Sequence, residues 1–347
     1  MPRFNFRLCL FVAAAALDAA CVAAQPSGVP TASNVPEWKL TVATGPAFPL
    51  GKAAARWAQI LNDALSGAVN VKAYPGATLS QRDPLREFVS LKEGTADLGV
   101  GSALAWSLQV PALGVYTLPW IAPTPRAIET LVGDPALTSL VASRVEAAGA
   151  VLLAVAPLGH DALATTRGPL LALADVAGLR VRMVATPIVV ETLATLGMKP
   201  NTMSFAEAQA AFTAGSLDGQ VGMPPAFAAM RIAALGQKHV LRWGAFADAI
   251  VFAMRDERWR QLTDEQRTLV RSAAETAAAE AGALVREDDA IAELARTGVT
   301  STRLTSAQRA AFRVTVQPVV ERWTNTIGLD VVTAASAALA SLPDTER

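Results

Sequence analysis

The chain has 347 residues, 52% of them hydrophobic, 17% charged and 6% aromatic, more than twice the usual length of one domain, which sets the expectation of two packed lobes. Its 30 basic and 30 acidic residues cancel, so no long-range field draws nucleic acid or an anionic membrane surface to it. Two cysteines and two histidines leave almost no equipment for thiol chemistry, soft metal sites or histidine-assisted nucleophiles.

The N-terminus carries Arg3 and Arg7, then an apolar run from Leu8 to Leu17, then small residues as far as Ala24 before Gln25-Pro26. This is the pattern of a secretory signal peptide cut after Ala24, and the run is too short to span a bilayer, which takes about 20 residues. The alternative is a lipid anchor on Cys21, but Asp18 stands where such a signal wants an aliphatic residue. Cleavage predicts an exported, periplasmic chain with no cysteine, 28 basic and 29 acidic residues. No later stretch reaches 18 consecutive apolar residues, so that chain is expected to be soluble.

Residues 25–36, rich in Pro, Ser and Asn, read as a flexible leader. From Trp38 to Ala43 a strand is expected, then a helix with Leu50, Ala54, Trp57, Leu61 and Leu65 on one stripe, then a strand over Val69 to Tyr74. A helix carrying Leu85, Phe88 and Val89, stopped at Gly94, leads to the strand Ala96 to Gly101. That βαβαβ order implies a parallel sheet with helices on its faces. Further strands are expected at Val151 to Pro157, Leu179 to Met183, Leu217 to Val221 and Ala249 to Met254. Thr186-Pro187 reads as an N-cap with proline at the first helical position. Ser204 to Glu207, Thr263 to Gln266 and Thr305 to Gln308 are capping boxes. Apolar residues then recur from Asp264 to Arg296. Unbroken, that helix would be about 50 Å long and would brace both lobes; the alternative is two helices bent at Gly282. The expected boundaries are 1–24 for the signal, 25–36 for the leader, 37–158 with 248–287 for lobe I, and 159–247 with 288–342 for lobe II, an α/β fold overall.

No phosphate-cradling loop, nucleophile elbow or zinc-helix motif occurs. His160 and His239 have no second ligand at motif spacing, and each reads first as a structural or surface histidine. Gly99-Val-Gly101 lacks the full dinucleotide spacing and marks close backbone approach. The positive signal is Gly178-Leu-Arg-Val-Arg182-Met183 before Thr186-Pro187. Ligands of open α/β sheets sit beyond the carboxyl ends of strands, and a guanidinium there, near a helix N-terminus, can hold a carboxylate bidentately. The competing reading is two solvated arginines, Arg180 and Arg182, on an edge strand. Phe205 and Phe212 at helical spacing would by default be core, and Asp218-Gly-Gln220 would be turn chemistry.

These pieces fall in an order that resembles the solute-binding subunits of tripartite ATP-independent periplasmic (TRAP) transporters, of the dicarboxylate-binding type. The likeness runs from about Trp38 to Leu339 and is carried by Tyr74-Pro-Gly-Ala-Thr-Leu79, Leu91-Lys-Glu-Gly-Thr-Ala-Asp97, Ala112-Leu-Gly-Val-Tyr-Thr-Leu-Pro119, Val176-Ala-Gly-Leu-Arg-Val-Arg182, Met203-Ser-Phe-Ala-Glu207 and Leu217-Asp-Gly-Gln220. The resemblance implies a two-lobed periplasmic solute-binding protein fold with hinge strands and a long helix crossing both lobes. It places the carboxylate-binding arginine at Arg182, an exposed basic residue at Arg180, an aromatic packing on the ligand at Phe205, and pocket loops near Ala43 and Thr44 and at Gly101 and Ser102. The departures bear on the ligand. Where the family commonly has Asp-Gly-Gln-Glu-Asn-Pro this chain reads Asp218-Gly-Gln-Val-Gly222-Met223, so Gly222 lacks the ligand-bonding amide. A second arginine of some members falls near Ala162, beside His160 and Asp161. An unpaired buried charge is strongly unfavourable, so a monocarboxylate rather than a succinate-like diacid is expected. Arg182 would anchor it, with Phe205, Met223 and Trp106 covering its body and His160 close by.

The implied partners are the small and large integral membrane subunits of the transporter, with the receptor a monomer, no cofactor and no nucleic acid. Two alternatives stand beside this reading. One is a binding component that feeds a sensor or scavenges solute. The other is an exported enzyme using Asp218, Glu207 and His160, for which no activated nucleophile or metal cluster is evident.

Overall fold

The computed structural model describes residues 35–347 apart from 66, 184–185, 204, 285–286 and 347. The signal segment, the cut after Ala24, the Cys21 alternative and the leader up to residue 34 lie outside the described residues. No helix among the described residues is long and apolar enough to cross a membrane.

In chain order the strands are β1 (Glu37–Val42), β2 (Asn70–Tyr74), β3 (Leu98–Ser102), β4 (Ala150–His160), β5 (Ala162–Thr165), β6 (Arg180–Met183), β7 (Lys199–Thr202), β8 (Gly219–Gly222), β9 (His239–Arg242), β10 (Ala247–Arg255) and β11 (Thr300–Arg303). They form two sheets, ordered β2-β1-β3-β10-β4 and β11-β9-β5-β8-β6-β7, one in each lobe of an α/β fold. In the first sheet the β2-β1-β3 part is parallel, as the βαβαβ pattern requires, and β10 then runs antiparallel to both β3 and β4. β10 is almost wholly buried, and its unbroken apolar run suits a strand covered on both faces.

The helix Pro49–Ala64 starts with proline at its first position and buries Leu50, Ala54, Trp57 and Leu61. The stripe is spaced at the helical repeat, so one face meets the sheet. Asn62 on this helix donates to the Val71 carbonyl at 2.9 Å and accepts from its N–H at 2.7 Å, extending the edge of β2 with a side-chain amide. Both described capping boxes form: Thr263 with Gln266, and Thr305 with Gln308.

Besides the helical brace that leads from β10 to β11, two short extended segments carry the chain between the sheets. The chain leaves the first sheet from β4 to β5 through Asp161, and returns from β9 to β10 through residues 243–246. The Asp161 N–H donates to the Phe246 carbonyl at 2.9 Å, so the two crossings form a short ladder of their own, the geometry of hinge strands. Trp243 and Phe246 of the second crossing pack edge-on, and Trp243 packs edge-on to Trp120 of the first lobe.

The brace is two consecutive helices, Asp264–Leu284 and Glu287–Arg296. The first packs on Pro49–Ala64 and β4, the second on Pro224–Ala229 beside the second sheet. The helix expected to run unbroken from Asp264 to Arg296 is thus described in two stretches, with residues 285–286 outside the described residues; Gly282, the bend of the alternative reading, lies inside the first stretch, where an added Cβ would sit 3.2 Å from Pro157, and the glycine serves a close approach to β4. The boundaries need one correction. The C-terminal helix Leu329–Leu339, expected in lobe II with 288–342, packs on Pro125–Gly133 and Pro135–Ala147, which flank β4, and Arg144 pairs with Asp330 at 2.9 Å. Before it, Ser306–Ile327 touches both Pro187–Thr195 and Pro111–Thr117, making a second brace between the lobes. Helical periodicity reports which face is apolar but not which lobe receives it.

Glu287 ties the brace to both crossings. One oxygen accepts from the His160 N–H at 2.7 Å and lies 2.8 Å from His160 Nδ1, while Arg242 at the end of β9 approaches the other at 3.5 Å. Burial pushes its carboxyl up, but the bond and charge of His160 and the charge of Arg242 outweigh this and hold it below the usual range. Removing one member of such a largely buried network leaves uncompensated charge. Glu287→Ala is expected to lower stability by about 2–4 kcal/mol and to shift the urea midpoint accordingly; an unchanged midpoint would show that the network contributes nothing.

Glu87 is buried in the first lobe, accepting from the Trp106 indole N–H at 3.2 Å and the Thr41 hydroxyl at 3.5 Å. Burial pushes its carboxyl up to about 8, against the pull of these two bonds. Because the folded state holds this proton more tightly than the unfolded chain, stability falls as pH rises from the ordinary carboxylate range to about 8, and the loss is complete above that value. Glu87→Gln can still accept from Trp106 and, with the bond reversed, donate to the Thr41 hydroxyl, without an ionisable group. The variant is expected to be more stable than wild type by about 2–4 kcal/mol at pH 8 and about equal to it at pH 4.5; melts at the two pH values that move in parallel would contradict the assignment.

Candidate ligand-binding cleft

Alternation along β6 puts Arg180 and Arg182 on the same face, yet their surroundings differ. β6 is not an edge strand: it lies between β8 and β7. Arg180 is bound twice by Asp218, at 2.9 and 3.0 Å, and donates to the Gly215 carbonyl at 2.8 Å. Asp218 also accepts from the Arg180 backbone N–H and from Arg167. Led by the Arg180 side-chain bond, these contacts drive its carboxyl far below the usual range despite its burial. Asp218 is therefore a fixed anion that neutralises Arg180, more than the turn residue its Asp-Gly-Gln setting suggests, and it has no proton to exchange.

Arg182 stands two residues further towards the carboxyl end of β6. Its Nε donates to the Met203 carbonyl at 3.1 Å, and among the described residues no carboxylate pairs with it. Burial lowers the guanidinium's pKa, the direction expected when a charge is desolvated without a counter-ion. The group faces a cavity of about 340 Å³, within the usual size of small-molecule sites.

Both lobes build that cavity. Ala43, Thr44 and Leu50 come from the end of β1 and the helix after it, and Ser102 and Leu104 from the end of β3. The second lobe gives Arg182, Met183, Val221, Gly222, Met223 and Met230. Asp161 enters from the first crossing and Asp248 from the start of β10. Most of this wall is aliphatic or thioether.

The polar atoms of the wall divide into spent and unspent. Ser102 donates to Asp248 and accepts from the Ala105 N–H, while Asp248 also accepts from the Leu104 and Ala249 N–H groups at 3.0 and 2.8 Å. These contacts cap the short helix Ala103–Trp106 and leave little capacity over. Thr186 occupies the N-cap position of Pro187–Thr195, but its side chain makes no cap bond. Its buried hydroxyl has no partner among the described residues, and neither has that of Thr44. The Asp161 carboxyl makes no hydrogen bond or ion pair among the described residues. Burial, then the charge of Asp248, pushes it up to about 7, with His160 opposing; Asp248 is pushed up to about 6, mainly by burial.

Of the residues singled out in the sequence, Thr44, Ser102, Arg182, Gly222 and Met223 line this one cavity. Three do not. Trp106 is fully buried in the first lobe, edge-on to Phe88 at 5.3 Å, with its N–H on Glu87; it is core. Gly101 lies under that indole, and any Cβ there would collide with it, so the glycine makes room for Trp106 and does not line the cavity. His160 faces Glu287 with one ring nitrogen and the Ala122 carbonyl, 2.9 Å away, with the other, a hinge contact outside the cleft. The Phe205 side chain lies outside the described residues. The acid-base trio does not assemble: Asp218 is held by two arginines, His160 by Glu287, and Glu207 sits exposed on the helix Phe205–Thr213. No cluster of His, Cys, Asp or Glu suited to a metal occurs among the described residues. Asp161, Asp248 and the Thr186 hydroxyl were not foreseen. Asp161 carries only a weak signal, an acid next to His160 in a mainly apolar stretch from Leu158 to Ala164.

Comparison with known proteins agrees with this architecture. The chain is 34% identical to a TRAP periplasmic solute-binding protein from Ralstonia eutropha H16, crystallised with bound (S)-2-hydroxy-2-methyl-3-oxobutanoate; the match covers 88% of this chain and 99% of that one, with a TM-score of 0.83. It is 26% identical over 308 residues to the C4-dicarboxylate-binding periplasmic protein DctP of Rhodobacter capsulatus, covering 87% of this chain and 90% of the relative. A TRAP periplasmic solute-binding protein from Shewanella oneidensis with bound succinate shares the fold at 19% identity and a TM-score of 0.77, over 88% and 99% of the two chains. Residues 41–326 match the DctP family model, and the chain thus belongs to the bacterial extracellular solute-binding proteins of family 7.

Proposed function

We propose that the protein is the periplasmic receptor of a TRAP transporter, binding a small organic monocarboxylate between its lobes and presenting it to the small and large membrane subunits. The observation that carries the reading is the half-buried Arg182 guanidinium, facing the cavity without a carboxylate partner among the described residues. A ligand carboxylate would supply the missing counter-charge in a bidentate pair. Among the described residues no second arginine lines the cavity to receive a second carboxylate, and Asp161 and Asp248 in the same wall would repel one in their ionised forms. The Ralstonia eutropha relative supports the choice, because its bound ligand has one carboxylate, whereas the name of the Rhodobacter capsulatus relative specifies a C4-dicarboxylate. With walls from both lobes, ligand contacts made only in a closed form would stabilise closure about the Asp161 and 243–246 crossings. The protein would act by binding and release, without catalysis or cofactor.

Isothermal titration of purified protein, freed of retained ligand, against short monocarboxylates and their diacid counterparts tests this. Monoacids are expected to bind more tightly than diacids of equal chain length, and Arg182→Ala to weaken binding by at least about 30-fold, the effect of truncating one member of a buried charge pair. Undiminished affinity in Arg182→Ala would remove the anchor.

A further inference from the structure

The cavity holds a second polar group that the protein leaves unmatched. The Asp161 backbone is fixed, its N–H bonded to the Phe246 carbonyl at 2.9 Å, so the carboxyl is presented to the cleft from a defined point of the hinge ladder. Asp248, the other acid in the wall, is bonded by Ser102, Leu104 and Ala249. Among the described residues Asp161 has no such donor. A carboxyl held in an apolar cavity without a partner is unfavourable, and the position is consistent with a partner that arrives with the ligand.

Two kinds of donor would serve, a hydroxyl or an ammonium. The rest of the wall favours the hydroxyl. Thr44 and Thr186 each hold a buried hydroxyl without a partner among the described residues, and such neutral groups complement ligand oxygens. Burial, with the charge of Asp248, also raises the Asp161 carboxyl to about 7, which favours the neutral form that can both give a hydrogen bond to an oxygen and accept one. An ammonium would require the ionised form.

Resting on the reading of Arg182 as the carboxylate anchor, we propose that Asp161 is a specificity-determining residue that binds a ligand hydroxyl, so that the preferred ligands are hydroxy monocarboxylates rather than simple fatty acids or amino acids. Arg182 and Asp161 would then fix two points of the ligand, and the aliphatic wall would accept the carbon skeleton between and around them.

Titration with three matched probes tests the assignment: 2-hydroxyisobutyrate, pivalate, in which a methyl group replaces the hydroxyl, and 2-aminoisobutyrate. Wild type is expected to bind the hydroxy acid at least about tenfold more tightly than pivalate, the effect of a hydrogen bond to a carboxyl group, and more tightly than the amino acid. Asp161→Ala should bring the hydroxy acid and pivalate within about threefold of each other without weakening pivalate, while Asp161→Asn, which keeps a donor and an acceptor, should retain the preference. A wild-type ratio near one, with binding still dependent on Arg182, overturns the role of Asp161 and leaves the anchor standing; this measurement needs no variant to fold. Tighter binding of the amino acid, or a preference that survives in Asp161→Ala, also overturns it. Binding unaffected by Arg182→Ala, or no binding of any of the three, defeats the carboxylate reading and this one with it.

Discussion

Two arginines lie one residue apart on β6, and one buried carboxylate decides what each can do. Asp218 accepts from the Arg180 backbone and side chain and from Arg167, so it satisfies the lower arginine completely and fixes the start of β6 against β8. Arg182 gets only a main-chain carbonyl. A guanidinium cannot shed its charge at any ordinary pH, so it remains a cation awaiting an anion. The cavity's other features are arranged around that imbalance: a wall mostly of carbon, hydroxyls at two of its edges, one acid from the crossing at residue 161 and one from the start of β10.

The interlobe crossings and the cleft share residues. Asp161 is at once a rung of the ladder between the crossings and a wall of the cavity. Its neighbour His160 is turned outward to Glu287, which begins the second half of the brace. Adjacent residues on one extended segment point to opposite sides, so His160 and Asp161 address the back and the mouth of the hinge respectively. A ligand that held Asp161 would thus contact a segment that joins the two lobes.

Much of the fold was legible because its strands are apolar runs and its helices carry a single buried stripe. Leu50, Ala54, Trp57 and Leu61 give the first helix at sight, and β10 shows as an unbroken hydrophobic run. β7 and β11 did not show, because Lys-Pro-Asn-Thr and Thr-Ser-Thr-Arg are polar edge strands of four residues that take their conformation from a neighbour rather than from their own pattern. In the cleft, Arg182 stood out through its motif and its place at a strand end. Trp106 misled because an aromatic next to a glycine-rich loop looks like a lid, whereas the glycine exists to admit the indole into the core. Asp161 was passed over because what distinguishes it is the lack of a donor in three dimensions, and no spacing in a sequence records that.

Gly222 carries a consequence of a historical kind. It lines the cavity at the position where the resemblance would place an asparagine, and an added Cβ would stand 3.1 Å from the Phe227 ring. Phe227 is fully buried, packed with Ala162, Ile232 and Val240 in the second lobe, so it has little room to retreat. A lineage exchanging glycine for asparagine here has to make space at Phe227 first, or at the same time, and one going the other way loses the amide before the ring can fill in. A side chain at 222 and the ring at 227 therefore compete for the same space.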